Sequence, residues 1–257
     1  METASFATSD GVDIAFRSWR PDAAGPTVIL QHGFMSNAEI NWEVTGVAAA
    51  LLEAGHPVVA LDARGHGHSG KPVDPDAYSL SRMAQDVVEL ADHLALEDFH
   101  LVGYSMGALV SGMVAAEDSR VCRLVLGGIG GAAADPASHE ALDLIAVAEA
   151  LDADDPAALS DPVGASFRAF ADAVGADLAP LAAAARGHAG DVVPFERIPV
   201  PTLVLAGADD PIALHPAALV ARIDHATLEV VPGDHLKAVS HPDFRFAIVR
   251  FLEAPPT

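Results

Sequence analysis

Two rhythms of apolar and polar positions alternate along this chain of 257 residues. Short runs that alternate, or are apolar throughout, read as strands; apolar residues three and four apart read as helices. Ser5 to Ser9 and Val12 to Trp19 alternate, and Asp10-Gly11 between them suits a hairpin turn. Pro21 to Pro26 reads as a polar loop. Thr27 to Gln31 is an apolar run, the pattern of a strand buried on both faces. Trp42 to Ala54 is amphipathic and is closed by Gly55, which suits a helix cap. Pro57 to Leu61 is the next strand, and the glycine-rich loop Arg64 to Gly70 follows it. Ser79 to Leu96 predicts a helix with Ser79 or Ser81 near its N-cap.

Phe99 to Met113 reads as a buried strand, a sharp turn at Ser105 and the start of a helix. Val121 to Ile129 is another strand. The rhythm then changes. Residues 130–193 are rich in Ala and Asp, hold no apolar strand, and are broken by Pro136, Pro156, Pro162, Gly164, Gly175, Pro180 and Gly187. Leu142, Leu144, Ile145, Val147, Phe167 and Phe170 supply helical apolar faces there, which predicts an insertion of several helices. Thr202 to Ala206 and Ala226 to Val231 resume the strands, each followed by a helix, His215 to Ile223 and Pro242 to Leu252. Strands alternating with helices predict an α/β fold with a mostly parallel sheet covered on both faces. Residues 1–129 and 194–257 would form its core, and residues 130–193 a helical insertion.

Composition narrows the class. Apolar residues make up 51% and mean hydropathy is +0.31, enough for a large core. Net charge is −22, from 36 acidic against 14 basic residues, which disfavours nucleic acid and anionic membranes as partners. Cys122 is the sole cysteine, so no internal disulfide can form, and its apolar strand suggests a small buried hydrophobe. No apolar run reaches membrane-spanning length. The start METASFATSDG has no basic segment followed by an apolar run, so the expectation is a cytoplasmic protein without a signal peptide. Oligomeric state is not legible.

Gly103-Tyr104-Ser105-Met106-Gly107 is a G-x-S-x-G pattern between a strand and a helix, the context in which a serine hydroxyl is exposed on a strained turn. In a parallel sheet, ligands bind beyond the carboxyl ends of the strands. Four loops that carry reactive groups follow strand ends here: His32-Gly33-Phe34, Ser105, Asp209-Asp210 and His235. A serine needs a base, histidine's pKa suits that task, and the histidine needs a carboxylate to orient it. Asp209 and Asp210 are adjacent, and the pattern does not separate them. The order serine, acid, histidine is that of one hydrolase arrangement.

Together with Asp62-Ala63-Arg64-Gly65-His66-Gly67-His68-Ser69 and Gly207 to Asp210, these motifs resemble the α/β-hydrolase fold family, in its small esterase, lactonase and perhydrolase-like branch. The resemblance covers nearly the whole chain. It implies an eight-stranded sheet with one antiparallel strand near the N-terminus and a helical cap at residues 130–193. It implies a Ser105–His235–Asp210 triad, with Asp209 the lesser candidate, and an oxyanion hole from the backbone N–H groups of Phe34 and Met106. His32 would shape the oxyanion loop. Met35, Trp42, Phe167 and Phe170 are candidate pocket residues beside Met106. The loop bearing Asp62, Arg64, His66 and His68 is read as structural, His139 and His188 have no partners at metal spacing, and no metal or other cofactor is expected. The implied activity is hydrolysis of a small or medium, largely apolar ester or lactone through an acyl-enzyme. The same triad serves perhydrolases and carbon–carbon bond hydrolases, and a non-catalytic ligand-binding protein could share the fold. Dehalogenases and epoxide hydrolases use an aspartate nucleophile, which Ser105 disfavours.

Overall fold

The computed structural model describes residues 1–20, 25–135, 138 and 141–255. Pro136, His139 and most of the Pro21 to Pro26 loop lie outside these residues. The N-terminal alternation forms a hairpin of β1 (Glu2–Ala7) and β2 (Asp13–Trp19), in which Phe6 faces Ile14. The sheet continues through β3 (Thr27–Gln31), β4 (Val58–Leu61), β5 (Phe99–Tyr104), β6 (Val121–Gly127), β7 (Thr202–Gly207) and β8 (Ala226–Val231). Its order is β1-β2-β4-β3-β5-β6-β7-β8. β2 is antiparallel to both of its neighbours and every later pairing is parallel, so β2 alone runs against the sheet. The carboxyl ends of β3 to β8 therefore share one edge.

Helices cover both faces. On one face lie α1 (Val47–Glu53) and α8 (Pro242–Glu253), packed over Val28, Leu30, Val58 and Val102. On the other lie α2 (Leu80–His93), α3 (Met106–Glu117) and α7 (Pro216–Val220), packed over Ile29, Val59, Leu101 and Leu124. Successive residues of β3 serve opposite clusters, as the two-residue strand period requires. The Ser79 hydroxyl caps α2 by accepting from the Arg82 amide.

Residues after β6 form α4 (Leu144–Asp152), α5 (Pro162–Val174) and α6 (Leu178–Gly187), which bury a cluster of Val147, Leu151, Ala171 and Leu181 with Met35. Asp143 and Asp161 cap α4 and α5 by accepting backbone N–H bonds, so the acidic residues of this stretch start helices.

Several features differ from the sequence reading: β1 is Glu2–Ala7 rather than Ser5 to Ser9, and α7 is Pro216–Val220 rather than His215 to Ile223. The helix predicted over Trp42 to Ala54 is split into a wide turn at Glu39–Glu43 and α1, because Gly46 takes a left-handed φ of 77° between them. β6 stops at Gly127 rather than Ile129 because Gly128 has φ 67°. Cys122 is half-buried, and that partial burial raises its thiol pKa. Among the described residues no helix is long and apolar enough to cross a membrane.

Candidate active site

Ser105 sits at the turn from β5 into α3 with φ 55° and ψ −121°, a backbone state that costs roughly 1–3 kcal/mol in a non-glycine residue. Two glycines make the turn possible. A Cβ on Gly103 would run into the Gly107 carbonyl, and one on Gly107 into the Gln31 and His32 carbonyls. The α3 backbone thus lies against β3 and β5 with no room for a methyl group. Backbone oxygens cannot swing aside as a side chain can. Gly107→Ala is therefore expected to destabilise the fold by about 3 kcal/mol or more, read as a lower denaturant midpoint with an unchanged slope.

The loops after β5, β7 and β8 bring three side chains into line. His235 Nδ1 lies 2.8 Å from Asp210 Oδ2, and His235 Nε2 lies 3.0 Å from Ser105 Oγ. A carboxylate only accepts, so Nδ1 carries the proton and the Nε2 lone pair faces the Ser105 hydroxyl. The Asp210 side chain is fully buried. Its Oδ1 accepts the amides of Ile212 and Ala213, which fixes the carboxylate plane. Asp209 is exposed, and its amide donates to Gly233 O instead. The arrangement can move a proton from Ser105 to His235 while Asp210 balances the charge.

Two backbone amides flank Ser105. Met106 is the first residue of α3, so its N–H has no acceptor within the helix. The Gly33–Phe34 peptide is held from its other end: Gly33 O accepts from His32 Nδ1 at 2.8 Å and from the Ser36 amide at 3.3 Å. In a trans peptide the Phe34 N–H points away from that oxygen. His32 Nε2 accepts the Ala63 amide at 2.9 Å, which keeps the proton on Nδ1. Burial lowers the His32 pKa and so favours this neutral form. Asn41, which sequence reasoning missed, accepts the Gly33 amide at 3.0 Å through Oδ1. No signal in the sequence marks it, since polar residues surround it at Asn37, Glu39 and Glu43.

Phe34 and Met35 reach toward the helices after β6. The Phe34 ring lies 6.3 Å from Phe167, 5.6 Å from His66 and 6.2 Å from His188. Met35, with φ 57°, inserts among α4, α5 and α6. Met35 and Phe167 thus stand beside the Gly33–Phe34 peptide. Trp42 does not, and its reading as a pocket residue is corrected. Trp42 is fully buried in the opposite core, between the sheet and the α1–α8 layer, because its turn folds under the loop. Phe170 is partly exposed on α5, which buries Arg168 and Ala171.

The glycine-rich loop after β4 spends its polar groups on structure. Asp62 accepts the Ala38 and His68 amides. Burial opposes its charge, but these amides outweigh burial and lower its pKa. Arg64 is fully buried and bridges Asp86 and Asp10, tying the β1–β2 turn to α2. His66 Nδ1 lies 3.0 Å from Arg64 O, and the His68 side chain is mostly exposed.

A family model described as alpha/beta hydrolase fold matches residues 26–173, more than half of the chain. A solved hydrolase structure from Pseudomonas aeruginosa PA01 is 30% identical with a TM-score of 0.76, covering 98% of this chain and 99% of that one. A Variovorax paradoxus protein bearing a carbamate hydrolase name (RutD) is 41% identical over 40% of this chain and 38% of its own. A non-heme chloroperoxidase from Kitasatospora aureofaciens is 38% identical over 39% of this chain and 34% of its own. The chain spans less than half the length of the curated relatives it matches. The family match and the full-length likeness agree with the strand order and the serine turn, and the chain belongs to the alpha/beta hydrolase fold family.

Proposed function

We propose that this chain is a serine hydrolase acting on a small or medium, largely apolar carboxylic ester or lactone. One observation carries the reading: Ser105, His235 and Asp210, from three separate strand-end loops, form one hydrogen-bonded line. Ser105 Oγ attacks the substrate carbonyl while His235 Nε2 takes its proton. The amides of Phe34 and Met106 bind the oxyanion. His235 then gives the proton to the leaving oxygen, and an acyl-Ser105 ester remains. Water, deprotonated by His235, cleaves that ester and restores the serine. Each step uses groups of the chain itself. Residues 130–193 act as a cap over the site, and Met35 and Phe167 support an apolar substrate.

The chloroperoxidase relative supports a second fate for the acyl-enzyme, attack by hydrogen peroxide in place of water. The test has two parts. A fluorophosphonate probe is expected to label Ser105 in the folded protein, and an unlabelled, well-folded protein would overturn the reading. A panel of p-nitrophenyl esters of increasing acyl length, lactones, carbamates and a diketone, each with and without peroxide, then identifies the carbonyl class. Turnover of esters or lactones is the expected result; turnover confined to the diketone would replace it with carbon–carbon cleavage.

A further inference from the structure

We propose that Tyr104 is a positioning residue for the acyl transfer, holding His235 in line with Ser105 through its hydroxyl and its ring. The inference rests on the reading of Ser105 and His235 as nucleophile and base. Tyr104 ends β5 and precedes Ser105, but its side chain leaves the opposite face of the strand, away from α3. Its hydroxyl donates to the main-chain carbonyl of His235 at 2.6 Å, across 131 residues of sequence. Its ring lies 5.2 Å from the imidazole at an interplanar angle of 34°. One side chain thus contacts both the backbone and the ring of the base while its own backbone leads into the nucleophile.

The tyrosine is itself held rigidly. It is only 4% exposed, and Phe244 of α8 packs edge-on against it at 5.6 Å. β6 gives it space by ending in two glycines. A Cβ on Gly127 would stand 2.9 Å from Tyr104 Cδ2, and one on Gly128 2.7 Å from Cζ. Burial raises the phenol pKa, so the hydroxyl keeps its proton and remains a donor. The His235 loop needs such an anchor. It turns at Gly233 with φ 117°, and the next residue, Leu236, is 64% exposed. Asp234 caps the amides of Leu236 and Lys237, which shapes the turn without gripping His235.

Tyr104→Phe removes the hydroxyl alone. It is expected to lower kcat per titrated active site by about tenfold with KM within about twofold, since misplacing a base by a fraction of an ångström slows the reaction without changing how substrate binds. Tyr104→Leu, which also removes the ring, is expected to lose about a hundredfold. Gly127→Ala keeps the hydroxyl but crowds the ring, and is expected to lower kcat in the same manner. Fluorophosphonate titration counts competent sites, so a role confined to stability would reduce titratable protein and Tm while leaving kcat per site unchanged. That outcome, or a rise in KM at constant kcat, would overturn the proposal. Ser105→Ala and His235→Ala in the same assay separate the two ideas. If they retain turnover, the triad reading fails; if they lose it while Tyr104→Phe keeps wild-type kcat per site, only the positioning role fails.

Discussion

Replacing Ser105 with alanine is expected to lower ester hydrolysis about a thousandfold to a millionfold and to abolish fluorophosphonate labelling. The fold should survive, because among the described residues the hydroxyl is bonded only to His235 and the strained turn is built by Gly103 and Gly107. A residual rate above background is expected as well, since the Phe34 and Met106 donors are backbone groups that the substitution leaves in place. Asp210→Asn should cost about ten-thousandfold for a different reason. An asparagine amide can donate to His235 Nδ1, which would shift the imidazole proton to Nε2 and remove the lone pair that faces Ser105. Asp209→Asn, at the exposed neighbouring position, should stay within about twofold of wild type. Measuring kcat/KM for the three variants on one p-nitrophenyl ester separates nucleophile, orienting carboxylate and bystander. Equal losses at Asp209 and Asp210 would contradict the geometry.

The second large effect is on stability in acid. Burial lowers the pKa of His32 and His56 and of three further histidines from the ordinary 6.5: His66 to about 3, with His32 adding to the shift, and His188 and His100 each to about 4. These groups bind protons less readily in the folded chain than in the unfolded one. Above about pH 6.5 both states hold them neutral, and their full contribution is present. As the pH falls below that value, the unfolded chain takes up protons that the folded chain refuses, so stability declines until each folded pKa is reached. The loss amounts to roughly 2 kcal/mol per histidine by about pH 5. Three such groups approach the whole stability of a typical domain, which is about 5–15 kcal/mol. Urea midpoints measured from neutral pH downward should therefore fall steeply, and His188→Phe should flatten that slope by about one proton. A midpoint that stays flat between neutral pH and pH 5 would rule out the neutral, buried state of these side chains.

Much of the architecture was legible because strands buried on both faces must be apolar runs. Thr27–Gln31 has the predicted bounds for that reason. Helix interruptions were less legible. Gly46 looks like a tolerable glycine within an amphipathic run, and only its left-handed φ reveals the break. The pocket readings divided along the same line. Met35 is adjacent to Phe34 in sequence and packs with it against the helices after β6. Trp42 was chosen by size and hydrophobicity, and those properties do not say which side of a turn a ring will occupy. Asn41 and Tyr104 were not singled out, because their partners are Gly33 N–H and His235 O, backbone atoms that leave no mark in the pattern.

The fold class, the chain order of serine, acid and histidine, and the serine turn can all be read from the residues, since they depend on local periodicity, on glycines at fixed spacing and on order along the chain. Only the folded chain shows that Asp210 rather than Asp209 meets His235, that Trp42 lies in the opposite core, and that Tyr104 contacts His235. Those are questions of distance between segments up to 131 residues apart in the chain, set by how a twisted parallel sheet gathers its strand ends at one edge. No residue pattern short of the folded chain carries that information.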